Sequence, residues 1–285
     1  MTDTVALIPG RFQNEIRTHL ILNYSEHPGY PLILGIFGPP GNGKTFQLRS
    51  MLRKLDVSVH SISAADLEDE RAGQPGKLVV TTYVIAATEI AKGQPAAIVI
   101  DDFDTTVGEW EKNTGTVNHQ QVIAQVMHLA DNPTQLEKVG SVRRVPVFLT
   151  GNDFSKLYPP LKRPGRMLAF YWTPDAAETE EIVRTILDFV PHSEVKILVE
   201  KYSTAPISFF AEIKVRLLRE ASAQIVSRVA NDMRLVVREP SRFQRYTHAA
   251  FDSGSIDLSQ LFRIAEQVKE STDAADVAHL RLYRS

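Results

Sequence analysis

One eight-residue segment constrains this chain more than any other feature of its sequence. It reads Gly38-Pro39-Pro40-Gly41-Asn42-Gly43-Lys44-Thr45 and fits the pattern G-x-x-x-x-G-K-[ST] at every position. In that pattern the glycines let backbone N–H groups turn towards phosphate oxygens, the lysine adds positive charge for the β- and γ-phosphates, and the threonine hydroxyl ligates Mg²⁺. We therefore predict that these eight residues and the adjoining Phe46 bind a nucleotide, ATP with Mg²⁺, with Thr45 as a metal ligand.

The surroundings of this loop predict an α/β fold. Short β-branched apolar runs alternate with helical patterns through the first half of the chain, which is typical of a central parallel sheet with flanking crossover helices. The loop itself opens a helix, and the N-terminus of a helix favours anions. The predicted strands are Leu32–Phe37, Val57–Ile62, Ala96–Asp101, Val145–Thr150 and Ala169–Trp172, and the predicted helices are Thr45–Leu55, Lys77–Lys92 and Val117–Ala130.

The pattern changes after Trp172, where helical segments follow without a convincing strand. Thr173-Pro174 resembles an N-cap with proline at the first helical position. We therefore predict two domains, an α/β nucleotide-binding domain over residues 1–172 and a smaller α-helical lid over residues 173–285.

An acidic cluster follows the third predicted strand. Asp101, Asp102 and Asp104 come directly after four apolar residues, at a spacing of about fifty residues from the phosphate loop. In such ATPases one carboxylate holds Mg²⁺ through water and the next polarises the attacking water. We assign Asp101 to the metal and Asp102 to the catalytic base, with Asp104 as the alternative base.

Polar residues also follow the fourth predicted strand. Asn152 comes at the carboxyl edge of the sheet, where ligands of open α/β sheets bind, and it is assigned to the γ-phosphate or the attacking water. Its alternative is a turn asparagine at positive φ.

Arg163 and Arg166 flank Pro164-Gly165 and are predicted to reach the γ-phosphate of a neighbouring subunit. Arginines that act in this way require an oligomer.

Composition excludes other classes of function. The chain has 285 residues, a formal net charge of −2 and no cysteine, so disulfide and thiolate chemistry are excluded and nothing indicates nucleic acid as a partner. No apolar run has the length of a membrane span, and Met1–Gly10 lacks the pattern of a signal peptide. We expect a cytoplasmic protein, or one of the chloroplast stroma if a transit peptide has been removed.

Several specific stretches resemble the rubisco activase family of AAA+ ATPases. The loop and its strand, Ala130-Asp131-Asn132-Pro133-Thr134, Thr150-Gly151-Asn152-Asp153-Phe154, Gly165-Arg166-Met167 and Ile207-Ser208-Phe209-Phe210 carry the resemblance, which extends from about Ile8 to Leu282. It implies an AAA+ fold and an ATP hydrolase that forms a homo-oligomer, expected as a hexameric ring. That ring would release inhibitory sugar phosphates from rubisco by remodelling it.

The resemblance also implies further site residues. Arg163 and Arg166 match the family's paired arginines, and Lys214 and Arg216 fall where the family places nucleotide contacts from its lid, with Arg216 as our assignment. Glu68–Gly76 and Thr105–Thr116, which contains Trp110, match two loops that face the central pore.

The chain departs from the family in three respects. Asp101-Asp102 stands where the family has Asn-Asp, Pro164-Gly165 stands where it has Asp-Gly, and we expect a short member without the N-terminal extension and the cysteine-bearing tail. These departures leave two alternatives open: a motor acting on a different protein client, or an ATP-dependent switch or loader with low turnover.

Overall fold

The computed structural model describes residues 7–63, 74–106, 117–137, 139–229, 233–245, 256 and 258–282. These residues divide into two units, Ile8–Thr173 and the part that follows from Pro174, to which Leu7 also belongs.

The first unit is built on a parallel sheet. Among the described residues its five strands lie in the order β2-β3-β6-β1-β7, and β4 and β5 form a separate antiparallel pair. The strands are β1 (Ile33–Phe37), β2 (Ser58–Ile62), β3 (Ala96–Ile100), β4 (Gln135–Leu136), β5 (Gly140–Ser141), β6 (Val147–Gly151) and β7 (Met167–Tyr171). All neighbours within the large sheet are parallel, and this confirms the predicted α/β class.

Helices cover both faces of the sheet. Along β3 the side chains of Ile98 and Ile100 join one apolar cluster, whereas Val99 joins another on the opposite face. This alternation follows from the two-residue repeat of a strand, and it explains why β3 is apolar throughout. The helices of the unit are α1 (Gly10–Tyr24), α2 (Lys44–Lys54), α3 (Gln74–Ala91), α4 (Phe103–Thr106) and α5 (Val117–Asp131), with 3₁₀ turns at Phe154–Lys156 and Pro159–Lys162.

The second unit is helical in all its described residues. Its own apolar core includes Val183, Leu198, Phe210 and Leu261, all fully buried. The helices are α6 (Ala176–Ile186), α7 (His192–Lys201), α8 (Ile207–Val229), α9 (Met233–Arg238), α10 (240–245) and α11 (Leu258–Leu282).

The start of α6 corrects one prediction. Thr173 is not the N-cap; that position is taken by Asp175, whose side chain accepts a 2.8 Å hydrogen bond from the Glu178 backbone N–H. The Glu178 carboxylate in turn accepts from the Asp175 N–H at 2.9 Å. This reciprocal pair satisfies two helix-terminal donors, which a threonine two residues earlier cannot reach.

A buried polar network fixes α1 to the sheet. Arg144 is 7% exposed, and its Nε donates to Asn23 Oδ1 at 2.8 Å. The Asn23 amide in turn donates to the His19 carbonyl at 2.9 Å. The His19 ring packs edge-on against Phe148 of β6 with centroids 5.0 Å apart. Burial lowers the pKa of His19 to about 3, and the nearby Arg144 cation acts in the same direction.

We expect acid to destabilise this unit through His19. The unfolded chain binds a proton at His19 below about pH 6.5, whereas the folded chain keeps the ring neutral down to about pH 3. The contribution of His19 to the free energy of unfolding is therefore fully present above pH 6.5, and it is lost as the pH falls from there towards 3. Between pH 7.5 and 5.5 the free energy of unfolding should fall by about 1.4 kcal/mol from this group, measured by urea titration.

The control for this prediction is His27, whose side chain is exposed. His19→Gln should remove the acid-dependent loss, and His27→Gln should retain it. Equal slopes of stability against pH in all three proteins would contradict the assignment.

Candidate functional site

The predicted phosphate loop connects β1 to α2 in a strongly curved conformation. Gly38, Gly41 and Gly43 have φ values of 148°, 78° and 74°, which side chains rarely adopt. A Cβ at Gly38 would also overlap the carbonyl oxygen of Trp172. The Trp172 indole donates to the Asn42 carbonyl at 2.9 Å, and its backbone N–H donates to the Phe37 carbonyl at 2.7 Å. The fully buried Trp172 thus binds both the loop, at Asn42, and the end of the strand before it, at Phe37.

Lys44 lies inside this loop. Its ammonium donates to the carbonyl oxygens of Gly38 and Pro39 at 2.8 and 2.9 Å, and to Asn152 Oδ1 at 3.0 Å. Burial lowers the pKa of Lys44, while the nearby Asp104 and Asp102 act in the opposite direction. The lysine and the predicted Asn152 are therefore in direct contact.

A chain of hydroxyl groups joins the loop to the acidic cluster. Thr45 Oγ1 donates to Thr150 Oγ1 at 3.3 Å, and Thr150 Oγ1 donates to Asp101 Oδ1 at 2.9 Å. The Asp102 backbone N–H also points to the Thr150 hydroxyl, at 3.3 Å. Thr150 is 1% exposed and sits between the two predicted metal ligands.

Sequence reasoning missed Arg49. Its guanidinium forms an ion pair with Asp101 Oδ2 and donates to Ser61 Oγ at 3.0 Å. Arg49 lies one turn after Thr45 on α2, so the two residues share a helix face. That spacing was the available signal for a basic residue close to the site.

The two candidate bases have different environments. Asp104 is 9% exposed, and its Oδ2 accepts hydrogen bonds from the backbone N–H groups of Asn152 and Asp153, both at 2.9 Å. Its Oδ1 is buried without a hydrogen-bond partner among the described residues. Asp102 is exposed and has a left-handed backbone with φ of 49°. Strained backbone of this kind is concentrated at functional sites.

The two arginines of the predicted pair also differ. Arg166 makes a two-pronged ion pair with Asp131 at 2.6 and 2.7 Å, and its Nη1 donates to the Pro160 carbonyl at 2.8 Å. Hydrogen bonding to Asp131 raises the pKa of Arg166. Arg163 is exposed, and its guanidinium has no hydrogen bond or ion pair among the residues that the structure describes. Both line a cavity of about 410 Å³ together with Arg144.

The remaining predicted site residues are Phe46 on α2 and two basic residues of the helical unit. Phe46 is 64% exposed on α2. Arg216 belongs to the helical unit, where it pairs with Glu212 at 3.2 Å and donates to Ser271 Oγ at 2.9 Å. In the same unit Lys214 pairs with Asp188 at 3.2 Å. The two predicted pore loops fall outside the described residues for most of their length, over 68–73 and 107–116.

The residues present fit a nucleotide with a divalent metal ion. The loop N–H groups and the first turn of α2 offer donors to phosphate, and Lys44 already contacts the loop carbonyls. Thr45 and Asp101 both bond the hydroxyl of Thr150, which brings together a hydroxyl and a carboxylate, the oxygen donors that Mg²⁺ prefers.

Comparison with known proteins agrees with this geometry. The profile of the ATPase family associated with various cellular activities (AAA) matches residues 34–175. A ribulose bisphosphate carboxylase/oxygenase activase from Anabaena sp. is 36% identical over 97% of this chain and 70% of its own length. The chain belongs to the rubisco activase family. Activases from Nostoc sp. and Vigna radiata are 39% and 37% identical over 74% and 78% of this chain, in each case spanning 53% of the relative.

Membership in this family has general consequences for the chain. It is an ATPase of the AAA+ class, and members of this class bind nucleotide together with a divalent metal ion. Within the part of the chain that the structure describes, no helix is both long enough and apolar enough to span a membrane.

We expect Gly151→Ala to disrupt the site. A Cβ at this position would lie 2.5 Å from Asp104 Oδ1 and 2.6 Å from the Phe154 ring, and Asp104 cannot retreat without releasing the Asn152 and Asp153 N–H groups. Such overpacking costs about 1–3 kcal/mol, to be measured by urea unfolding. Nucleotide affinity should fall as well, because Asn152 would shift away from Lys44.

Gly10→Ala is the matched control, because a Cβ at Gly10 meets nothing within 4 Å. It should leave stability and nucleotide affinity unchanged or slightly improved. A Gly151→Ala protein as stable as Gly10→Ala would contradict the close packing of Asp104 against β6.

Proposed function

We propose that this chain is one subunit of a hexameric ring that uses Mg²⁺-dependent ATP hydrolysis to remodel rubisco and release inhibitory sugar phosphates. The observation that carries the proposal is the 36% identity to the Anabaena activase over 97% of the chain. The geometry around Lys44 supports the ATPase part of it independently.

Each residue of the cluster has a proposed role in hydrolysis. Lys44 exchanges its carbonyl partners for the β- and γ-phosphates, and the loop N–H groups from Gly38 to Thr45 hold the phosphate oxygens. Thr45 and Asp101 would hold the Mg²⁺. When bound, the ion neutralises charge that develops on the phosphates. Asn152, already in contact with Lys44, orients the attacking water or the γ-phosphate.

We propose Asp102 as the base that polarises this water. The exposed carboxylate of Asp102 is accessible to a water molecule. Asp104 accepts hydrogen bonds from two backbone N–H groups, which fix the orientation of its carboxylate. Asp104 is therefore proposed to position Asn152 and not to act as the base.

We propose that Arg163 acts in the active site of a neighbouring subunit. Its exposure and the absence of a partner among the described residues support this role, because the guanidinium is available without breaking a contact. Arg166, held by Asp131, is proposed to shape the turn from which Arg163 projects, and to reach the neighbour only if that ion pair opens.

We also propose that residues 1–172 form the nucleotide-binding domain and 173–285 the lid. The division of the chain at Thr173 supports this boundary. Arg216 remains our proposed nucleotide contact from the lid. Its bonds to Glu212 and Ser271 require that it exchange those partners.

Reactivation of inhibited rubisco tests the client. Rubisco blocked by a tightly bound sugar phosphate should regain carboxylase activity when this protein and ATP are added. Lys44→Ala should abolish both reactivation and phosphate release, whereas Lys54→Ala, exposed on the same helix, should retain both. If the protein hydrolyses ATP without reactivating a rubisco that the Nostoc activase restores, the client is a different protein. Unchanged turnover in Lys44→Ala would refute the motor itself.

A second experiment tests the role of Arg163 between subunits. Arg163→Ala should bind nucleotide normally, because the residue makes no contact with its own phosphate loop. Its turnover should fall by about 10³-fold or more, the usual effect of losing an arginine that stabilises phosphoryl transfer. Mixing Arg163→Ala with Lys44→Ala subunits should restore part of the activity, since some sites then combine an intact loop with an intact arginine. No recovery on mixing would contradict action between subunits.

A further inference from the structure

Arg49 occupies a position that the proposed hydrolysis does not use. It extends from α2 across the carboxyl end of the sheet, where it contacts Asp101 at the end of β3 and Ser61 in β2. Its side chain is 37% exposed and that of Asp101 is 21% exposed. The ion pair therefore lies at the edge of the site, in contact with solvent.

The contacts of Asp101 leave neither of its carboxylate oxygens unpaired. Oδ1 accepts from Thr150, and Oδ2 pairs with Arg49. Within the cluster, the charge of Asp101 is thus balanced by Arg49.

We propose that Arg49 is a resident counter-ion that competes with the divalent metal ion for Asp101, and so sets the metal concentration at which nucleotide binds tightly. This inference rests on the proposed function, in which Asp101 holds the metal. An arginine guanidinium stays charged at all physiological pH values, so it cannot yield the carboxylate by losing a proton. A cation next to Asp101 both occupies Oδ2 and repels a second cation.

The exposure of Arg49 makes this competition reversible. A guanidinium that is about one-third exposed regains water when it leaves a carboxylate, so the pair contributes little net free energy and a metal ion displaces it readily. Ser61 gives the released side chain a neutral partner. The arginine therefore raises the metal requirement without preventing metal binding.

Binding of a fluorescent ADP analogue at increasing Mg²⁺ concentrations tests the proposal without measuring turnover. In Arg49→Gln the Mg²⁺ concentration at half-maximal binding should fall by about three- to tenfold, the scale expected for removing one partly solvated competing charge. Affinity measured in EDTA should stay as in the unchanged protein. Arg53→Gln, which removes the same charge one turn further along α2, should leave the Mg²⁺ midpoint unchanged.

A double-mutant cycle separates competition at Asp101 from a general effect of charge. Asp101→Asn should weaken the Mg²⁺-dependent part of binding, and adding Arg49→Gln in that background should change nothing further. A Mg²⁺ midpoint in Arg49→Gln that is unchanged or higher would overturn the proposal, as would an equal shift in the Asp101→Asn background. Loss of binding in EDTA would assign Arg49 a purely structural role.

The same titration distinguishes this inference from the proposed function. If the unchanged protein binds no ADP analogue at any Mg²⁺ concentration, the proposed nucleotide site fails. If it binds with a Mg²⁺ dependence that Arg49→Gln does not alter, only the role of Arg49 fails. Thermal unfolding in EDTA verifies that each variant is folded.

Discussion

Parallel pairing of the central strands is the constraint on which the site depends. β6 pairs with β1 on one side and with β3 on the other, so that Phe37 lies opposite Gly151 and Ile100 opposite Leu149. Parallel strands end at the same edge of a sheet, and ligands of open α/β sheets bind there. This register alone brings together three segments that are distant in sequence: the phosphate loop, the acidic cluster and the turn at Asn152. Burial of the strands on both faces makes the register costly to change.

The three acids that follow β3 show how neighbours in sequence acquire different properties. Asp101 is paired with a cation and a hydroxyl, Asp104 is enclosed by two backbone N–H groups, and Asp102 is exposed on a left-handed backbone. Thr150 contributes to this separation because its hydroxyl is shared between Thr45, Asp101 and the Asp102 N–H. One small buried side chain on β6 therefore orders both the loop and the acids.

The sequence predicts the sheet well, because its central strands are buried on both faces and leave continuous apolar runs. β7 is less clear: Leu168 and Ala169 are exposed at the sheet edge, and the strand begins two residues before its prediction. The helix Gly10–Tyr24 was not predicted, since its buried face includes the polar His19 and Asn23. Likewise, the ion pairs Arg49–Asp101 and Arg166–Asp131 join residues 52 and 35 positions apart. Periodicity indicates which face of an element is buried, but it does not indicate which distant side chains meet.

The indole beneath the phosphate loop has a practical consequence. The chain contains two tryptophans, Trp110 and Trp172, and the N–H of Trp172 bonds directly to the loop at Asn42. The emission of a buried indole depends on its polar contacts, so rearrangement of the loop changes the signal of this residue. A protein in which Trp110 is replaced by phenylalanine would contain a single tryptophan, which lies at the base of its phosphate loop. Such a protein would report the conformation of the loop optically, without an attached label.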